Sequence, residues 1–364
     1  MKKSYVKMMV GVLFMVSILL VVSGANAEPI KWKMVTNWPA SINLWKGDQN
    51  FCDLVNKLSA GKLEIQFYKG GDLVPSIGVF DAVSKGRVEA GAQWASYWAG
   101  KNSAFEFGGS FPMGLTAQDH INWYYYGGGK EEYDYLFGKF NMVHFAHMTT
   151  GVESGIRSNV PLKSLADLKG KKLRVAGKAA GYMLQKVGAA QTMVASGEIY
   201  QALQLKTLDG AEFCTPAVDW DLGFAEVTKH NLAPGWHQPS TIFGVVINKE
   251  AWDALTPELQ NIIEVASKAN MAQMTAYYEK LNIQALKNFE KAGTTVYRYS
   301  EKDLEMLEKY AWEWVEQEAA KNPDYKRMAQ SYFQFMKDYA QTRTYTIPWG
   351  QGRNPVTYPN IGLK

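Results

Sequence analysis

The sequence predicts an α/β protein that is divided into two lobes, and three observations support this prediction. Strand and helix patterns alternate in residues 30–94, and they alternate again after Thr150. A helical last third follows from Pro257. Short strands alternating with helices are typical of α/β layers with a parallel sheet. Two such layers predict two lobes, and the cleft between lobes is a common place for a small ligand.

The first α/β pattern begins at residues 30–35, where polar and apolar side chains alternate as in a half-buried strand. Apolar residues then recur at helical spacing from Phe51 to Leu58, which predicts a helix that Gly61 ends. The other predicted elements of this layer are a strand over 63–68, a short helix over 79–83 and a strand over 90–94.

The second α/β pattern repeats this order. Ser164 precedes a short capped turn of helix, and the predicted strand over 172–176 follows it. A helix is predicted over 199–205. Further strands are predicted over 208–213 and 241–248.

The last third of the chain is predicted to be mainly helical. Pro257 stands near the start of a long helix, where proline is tolerated, and apolar residues continue at helical spacing towards Gly293. The remaining elements are predicted as a strand over 296–299, helices from Ser300 to about Tyr339 and an irregular tail over 342–364.

The first 27 residues have the pattern of a secretory signal peptide. Lys2 and Lys3 give a basic start, residues 8–22 are apolar, and small residues stand at 25–27. The apolar run is shorter than the roughly 20 residues of a membrane-spanning helix. We therefore expect cleavage before Glu28 and export to the periplasm, with an uncleaved anchor as the alternative.

The charge of the chain argues against a nucleic-acid partner. The formal net charge of +4 falls to +1 when Lys2, Lys3 and Lys7 leave with the signal peptide. The remaining basic residues are interspersed with acids. Nucleic-acid-binding faces, by contrast, carry clustered basic residues. Attraction for an anion must therefore come from a local site.

Neither the cysteines, the histidines nor the motifs predict an enzyme. Cys52 and Cys214 are expected to be buried free thiols, although an oxidising compartment would also allow them to pair. His144 and His147 lie in an apolar run typical of a strand, so we interpret them as structural. No nucleophile elbow, phosphate-binding loop, zinc-protease helix or dinucleotide-binding motif occurs.

Four stretches of the chain carry a family pattern. They are GRVEAG (86–91) with YWAGK (97–101), LADLKGKKLR (165–174), GEIYQALQ (197–204) with LDGAE (208–212), and APGWH (233–237). In this order and spacing the chain resembles the periplasmic receptors of TRAP (tripartite ATP-independent periplasmic) transporters, from residue 30 to about Lys337. The resemblance implies a two-lobed periplasmic binding protein of type II, with a hinge cleft and a long helix that spans both lobes.

The resemblance also implies where the lobes divide. The first lobe would contain residues 28–151 and 241–282, and the second lobe residues 152–240 and 283–340. Residues 341–364 would form a C-terminal tail. In some relatives the long helix mediates dimers, so a homodimer is an open alternative for this chain.

Within the family, the sequence is most similar to receptors for 2-oxo and 2-hydroxy acids. Their ligand-binding arginine matches Arg174, and a planar guanidinium fits a carboxylate through two hydrogen bonds. Their acid–aromatic pair matches Glu212 and Phe213. Where those receptors carry a glutamine this chain has Glu153, and where they carry a glutamate it has Gln238.

The same resemblance implies a bound cation, Na⁺ or Ca²⁺, between protein and ligand. Hard cations prefer oxygen ligands, which Glu153, Glu212, Gln238 and the carbonyl group of Phe213 would supply. The two exchanges leave the formal charge of this set unchanged. They fit a rearranged cation site, and they fit equally a lost site in which Glu153 meets an amine or hydroxyl group of the ligand.

Aromatic residues flank the early turns that face the cleft in this fold. They are Trp38, Trp94, Tyr97 and Trp98, with Asn37, Gln93 and Tyr182 as further candidate polar contacts. Aromatic walls exclude water and strengthen the polar contacts inside a site. The tryptophans predict an apolar or aryl side on the ligand, and ordinary core packing is the alternative for each of them.

The predicted function is that of an extracytoplasmic receptor that binds a small organic acid between its lobes and delivers it to the membrane permease subunits of a TRAP transporter. Two other classes stay open at this point. An exported metal-dependent α/β hydrolase would turn the bound acid over. A ligand sensor would pass the binding event to a signalling protein.

Overall fold

The computed structural model describes residues 28–347. The predicted signal peptide, residues 1–27, and residues 348–364 of the predicted tail lie outside the described part of the chain. The strands, in chain order, are β1 (Ile30–Thr36), β2 (Leu63–Tyr68), β3 (Ala90–Gln93), β4 (Met142–Thr149), β5 (Ile156–Ser158), β6 (Lys172–Arg174), β7 (Ala190–Gln191), β8 (Gly210–Ala211), β9 (His230–Ala233), β10 (Ile242–Asn248) and β11 (Thr295–Arg298).

Helices surround these strands. The α-helices, in chain order, are α1 (Trp45–Leu58), α2 (Val79–Ser84), α3 (Ala117–Tyr126), α4 (Gly129–Gly138), α5 (Lys178–Lys186), α6 (Ile199–Gln204), α7 (Pro216–Asp221), α8 (Phe224–Val227), α9 (Lys249–Asp253), α10 (Pro257–Lys291), α11 (Glu301–Ala319) and α12 (Pro323–Thr346). Short 3₁₀ turns occupy Ala95–Gly100 and Ser103–Gly108 between β3 and α3. No described helix combines the length and apolarity needed to cross a membrane.

Two separate sheets divide the molecule into two lobes. The first sheet has the order β2-β1-β3-β10-β4, and the second has the order β11-β9-β5-β8-β6-β7. We call the first sheet and the helices packed on it the first lobe, and the second sheet with its helices the second lobe. The predicted two-lobed α/β class is confirmed.

The sheets are mixed rather than purely parallel, which corrects the prediction. Strand β1 is parallel to β2 and β3, as expected, but β10 runs antiparallel to β3 and β4. In the second sheet β6 is parallel to β7 and β8, whereas β5 is antiparallel to β8 and β9. Strands β5 and β10 are the segments where the chain crosses between lobes, and antiparallel pairing needs no crossover helix.

Strand β10 and its neighbour at the edge of the first sheet, β4, are buried on both faces. All seven residues of β10 are buried, and so are seven of the eight residues of β4. Helix α2 packs on β10, while α4 and α10 pack on β4. A strand covered on both faces carries a continuous apolar run instead of an alternating one, as the sequence of β10 shows.

Helix α10 connects the two lobes. It begins at Pro257, where the Thr256 hydroxyl accepts a hydrogen bond from the Leu259 amide, and it continues for 35 residues. It packs on α1 and β4 of the first lobe and on α7 of the second. The Asn282 side chain binds the Thr150 carbonyl and the Ala217 amide, at 3.2 and 3.1 Å. The predicted helix spanning both lobes is confirmed.

The C-terminal helices return to both lobes. Helix α11 packs on α5 of the second lobe, whereas α12 packs on α4 and on Ser103–Gly108 of the first lobe. The packing of α12 therefore differs from the predicted placement of residues 283–340 in the second lobe, and the other predicted lobe boundaries stay predictions. The irregular tail predicted from Thr342 is wrong for residues 342–346, which continue α12.

Candidate functional site

Strand ends from both sheets meet at the cleft. Arg174 ends β6, and the neighbouring parallel strand β8 places Ala211 in register with it, so Glu212 follows directly alongside. On the other side of the cleft, Trp38 follows β1 and Trp94 follows β3. Carboxyl ends of parallel strands are where open α/β sheets bind ligands. Both lobes thus present their predicted site residues to one region.

A cavity of about 280 Å³, partly open to solvent, lies between these strand ends. Its lining includes seven of the predicted residues: Trp38, Trp94, Tyr97, Glu153, Arg174, Phe213 and Gln238. It also includes Cys214, Thr241 and Phe243, which sequence analysis did not place in the site. The free space between these side chains is narrow, so the geometry favours a small ligand.

A buried ion pair joins Arg174 and Glu212. The Nη1 group of Arg174 donates to Glu212 Oε1 at 2.7 Å and to the Glu212 carbonyl at 3.0 Å. The Ala176 amide donates to the same Oε1 at 2.5 Å. Among the described residues, Nε of Arg174 and Oε2 of Glu212 have no hydrogen-bond partner. Each side chain therefore keeps one polar atom for another group.

Glu153 lies beside this pair and contacts His237. The Nε2 atom of His237 is 2.9 Å from Glu153 Oε2 and 3.7 Å from Glu212 Oε2. The Thr241 hydroxyl donates to Glu153 Oε1 at 3.3 Å. Glu153, Glu212 and His237 each have a potential metal-binding atom, and these three atoms lie within 4.8 Å of one another. All three side chains are buried.

Two glycines allow the loops that carry these residues to approach each other. Gly155 has φ +104°, and a Cβ atom there would lie 2.2 Å from the Leu232 carbonyl oxygen. The Gly235 amide donates to the Glu153 carbonyl at 3.2 Å, and a Cβ at residue 235 would lie 2.7 Å from that oxygen. Only glycine permits this conformation and this contact without strain.

Burial decides the protonation of the site. It raises the pKa of Glu153 well above its usual value, and the neighbouring Glu212 carboxylate raises it further. Burial lowers the pKa of His237 to about 4, against the opposite effect of Glu212, and it raises the pKa of Tyr97 to about 12. At neutral pH the imidazole and the phenol are neutral. Two buried carboxyl groups therefore share the single guanidinium of Arg174.

Aromatic rings form one wall of the cavity. Trp38 meets Phe243 edge to face with ring centroids 5.5 Å apart, and Trp94 meets Tyr97 in the same way at 4.9 Å. The Phe213 ring centroid lies 5.6 Å from the guanidinium carbon of Arg174. These rings exclude water from the charged groups, which strengthens the polar interactions inside the site.

Trp98 does not line the cavity, which corrects its prediction as a ligand contact. Its indole packs on Phe80 with ring centroids 5.1 Å apart, and its Nε1 atom donates to the side chain of Gln93. Trp98 and Tyr97 share the short turn Ala95–Gly100, and their side chains leave it in different directions.

Two of the further candidate polar contacts have partners within the protein. Tyr182 binds Glu313 and Gln317, and Asn37 donates to the Ser76 carbonyl.

The donor set of the site fits a cation. Oε2 of Glu212 and Oε1 of Gln238 are buried atoms without a hydrogen-bond partner in residues 28–347, and a Glu153 carboxylate oxygen lies close by. Unpaired buried oxygens are costly unless another group binds them. Sequence analysis missed the imidazole of His237. Its neighbour Gln238 and its place in the fourth family stretch were the signals that could have identified it.

Comparisons with known proteins identify the family of the chain. The family described as bacterial extracellular solute-binding protein, family 7, matches residues 34–322. A monocarboxylate 2-oxoacid-binding periplasmic protein from Nostoc is 32% identical over 313 residues, which cover 86% of each chain.

Two solved structures are similar over most of the chain. A TRAP transporter solute-binding protein from Bordetella bronchiseptica, with copurified calcium and picolinate, is 32% identical with a TM-score of 0.83, covering 88% of this chain and 95% of that one. One from Pseudoalteromonas atlantica, with bound sodium and pyruvate, is 27% identical with a TM-score of 0.81, covering 87% and 96%.

Proposed function

The chain belongs to family 7 of the bacterial extracellular solute-binding proteins, the receptors of TRAP transporters, and on this premise we propose its ligand and partners. Members of this family bind solutes for transport and are not enzymes. Neither the hydrolase alternative nor the sensor alternative gains support from the family or its relatives.

We propose that the ligand is a small monocarboxylic acid with an oxo or hydroxyl group on carbon 2. The observation that carries this proposal is the buried Arg174, which faces a small cavity and keeps Nε without a partner among the described residues. A carboxylate beside that guanidinium gains charge-assisted hydrogen bonds in a site from which water is excluded. Glu153 and Glu212 oppose a second carboxylate in the same cavity.

A cation would join the acid to the protein. The residues that would hold it are Glu153, Glu212, Gln238 and Phe213, the last through its carbonyl oxygen. When bound, the cation would offset the negative charge of the carboxylates and coordinate oxygen atoms of the ligand. The relatives support this arrangement, since picolinate and pyruvate share a carboxylate with a second donor atom on the adjoining carbon, and both occur with a cation. A 2-oxo or 2-hydroxy acid offers the same pair of donor atoms.

The family supports a proposal for the location and the partners of the chain. We propose that the chain is exported, that its signal peptide is removed before Glu28, and that the loaded receptor delivers the acid to the permease subunits of a TRAP transporter. Self-association through α10 is a further proposal. Its support is the set of apolar side chains that this helix exposes: Val265, Ile283 and Leu286.

A thermal-shift screen of residues 28–364 tests the ligand class. The panel compares pyruvate and lactate with propanoate, which has the same carbon chain without the oxygen on carbon 2, and adds aryl 2-oxo acids and dicarboxylates. We expect pyruvate-like or lactate-like acids to raise the melting temperature, because a ligand that binds only the folded state stabilises it. Equal shifts for propanoate would remove the role of the second donor atom, and a flat panel would refute the ligand class.

A further inference from the structure

We propose that the cation of this site is a divalent transition-metal ion bound partly through the imidazole nitrogen of His237, and not Na⁺ or Ca²⁺. This inference rests on the proposed function only in assuming that the organic acid binds beside the same ion. It differs from the oxygen set that the family resemblance implies, because it adds a nitrogen ligand supplied by this chain.

The positions of three donor atoms support a shared ion. Nε2 of His237 lies 2.9 Å from Glu153 Oε2 and 3.7 Å from Glu212 Oε2. Glu212 Oε2 has no hydrogen-bond partner in the described residues, although it is fully buried. Donor atoms bound at about 2.1 Å to one ion stand about 3–4 Å apart. The two distances from His237 agree with this spacing, and the chosen Glu153 and Glu212 oxygens lie within 4.8 Å of each other.

The kind of donor selects the kind of ion. Ca²⁺ and Mg²⁺ take oxygen ligands. Imidazole suits zinc, copper, iron and nickel, and the affinity of such sites rises from manganese to copper and is lower again for zinc. His237 and the carboxylates Glu153 and Glu212 form a mixed set of one nitrogen and two carboxylates. A 2-oxo or 2-hydroxy acid would complete it with two more oxygens.

Charge also favours a divalent ion over sodium. With both carboxyl groups binding as carboxylates, Glu153, Glu212 and the acid contribute three negative charges, and Arg174 contributes one positive charge. The histidine ligand is neutral. A divalent cation makes the buried set neutral, whereas Na⁺ leaves one negative charge uncompensated in a buried site, which is costly.

The second ring nitrogen of His237 is free to carry the proton. When Nε2 binds a metal, the proton of the neutral imidazole moves to Nδ1. Nδ1 has no partner among residues 28–347, and His237 is one of the residues that line a second cavity, with Glu106 and Ser110. This cavity has room for about one water molecule, which would accept the Nδ1 hydrogen bond. Such an outer partner orients a metal-bound histidine.

Metal binding by residues 28–364 tests the inference directly. The protein is stripped with a chelator and titrated with Mn²⁺, Co²⁺, Zn²⁺, Ca²⁺ and Na⁺, with and without pyruvate. Bound metal is measured by mass spectrometry and the Co²⁺ site by its visible absorption. We expect one tightly held Co²⁺ or Zn²⁺ per chain, with much weaker binding of Ca²⁺ and Na⁺.

Two variants separate this site from adventitious binding. His237→Phe keeps a ring in the turn and removes the nitrogen, so transition-metal affinity should fall by at least about 100-fold, since even outer partners of metal ligands contribute 10–100-fold. His230→Phe removes a histidine outside the cluster and should bind metal like the wild type. Circular dichroism confirms that both variants fold.

Four results distinguish the inference from the proposed function. Tighter binding of Ca²⁺ or Na⁺, or unchanged transition-metal affinity in His237→Phe, would overturn the inference. Binding of an acid with no dependence on metal would also overturn it and leave the proposed function in place. Metal held through His237 without binding of any acid would support the inference and count against the proposed function.

Discussion

At the scale of single residues, Arg174 and Glu212 define the chemistry of the site. Both are almost fully buried, and their hydrogen bonds use one edge of each group. A buried ion pair contributes little net stability once desolvation is counted, whereas removal of one partner is costly. We therefore interpret this pair as a preorganised binding surface. Nε of Arg174 would bind the ligand, and Oε2 of Glu212 would bind a cation.

Replacement of Arg174 should remove most of the affinity for the acid. Arg174→Lys keeps a positive charge beside Glu212 but loses the planar fork of donors. We expect it to weaken binding by at least about 2 kcal/mol, or about 30-fold, because truncation of a buried hydrogen-bonded charge pair costs this much or more. Isothermal titration calorimetry measures the effect. Affinity within a factor of two of wild type would refute the assigned role.

Trp38 and Trp98 form a matched pair for testing the aromatic wall. Both are buried tryptophans, but only Trp38 lines the cavity. Trp38→Phe should weaken binding of the acid several-fold, whereas Trp98→Phe should lower the melting temperature and leave affinity unchanged, since a smaller ring leaves a cavity in the core. Titration and thermal unfolding of both variants separate the two effects. An affinity loss in Trp98→Phe alone would contradict the placement of these rings.

The site residues differ in how far the sequence could predict them. Arg174, Glu212 and Phe213 follow from their places in the family pattern, since strand ends put them at the cleft. His237 was missed because residues in a turn follow no periodic pattern from which the direction of a side chain can be predicted. The same limit explains Trp98, whose neighbour Tyr97 lines the cavity while Trp98 enters the core.

At the scale of elements, Glu106 links segments from both lobes. It lies in the turn Ser103–Gly108, and its carboxylate accepts hydrogen bonds from the Ala179 amide at 2.9 Å and from Trp314 Nε1 at 2.8 Å. Ala179 is the second residue of α5, and Trp314 lies on α11. Burial raises the pKa of Glu106 to about 7, although these two donors oppose the shift.

This shift makes stability depend on pH. The unfolded chain releases the Glu106 proton near pH 4.5, whereas the folded protein holds it up to about pH 7. The contribution of this proton to the free energy of unfolding is therefore lost as pH rises from about 4.5 through 7, by up to about 3 kcal/mol. Chemical unfolding of wild type and Glu106→Gln across this range isolates the residue, because the other groups cancel. Wild type should lose stability relative to the variant as pH rises; parallel curves would contradict the assignment.

Element prediction succeeded where the pattern was local. The strands over 30–36 and 63–68 alternate, and the helix from Pro257 carries a proline and a threonine cap at its start. Helices α3 and α4 were not predicted, because Gly127–Gly129 interrupts an aromatic stretch whose spacing shows no clear period. The direction of β10 depends on a segment more than ninety residues away in sequence, which local spacing does not encode.

At the scale of the whole molecule, contacts across the cleft hold the lobes together. The Asn43 side chain of the first lobe binds Asp221 at the end of α7, and the Met113 amide donates to the Trp236 carbonyl at 2.8 Å. We expect a ligand that contacts both lobes to stabilise the closed form of such a hinge. An acid would shift the population only as far as it binds the closed form more tightly than the open form.

Closure should be visible in solution. Small-angle X-ray scattering of residues 28–364 is expected to show a smaller radius of gyration with bound acid, since the ligand shifts the population towards the closed form. Asn43→Ala removes one contact across the cleft and should enlarge the ligand-free particle while keeping the ligand-dependent decrease. An unchanged radius with and without a saturating acid would contradict closure on binding.

The most direct test of the receptor account is calorimetric titration of residues 28–364 with the acid that gives the largest thermal shift, followed by recovery and chemical analysis of the ligand. We expect one acid bound per chain, a strong dependence of the affinity on Arg174 and recovery of the acid unchanged. Conversion of the acid into a product, or binding that survives in Arg174→Lys at full affinity, would contradict it.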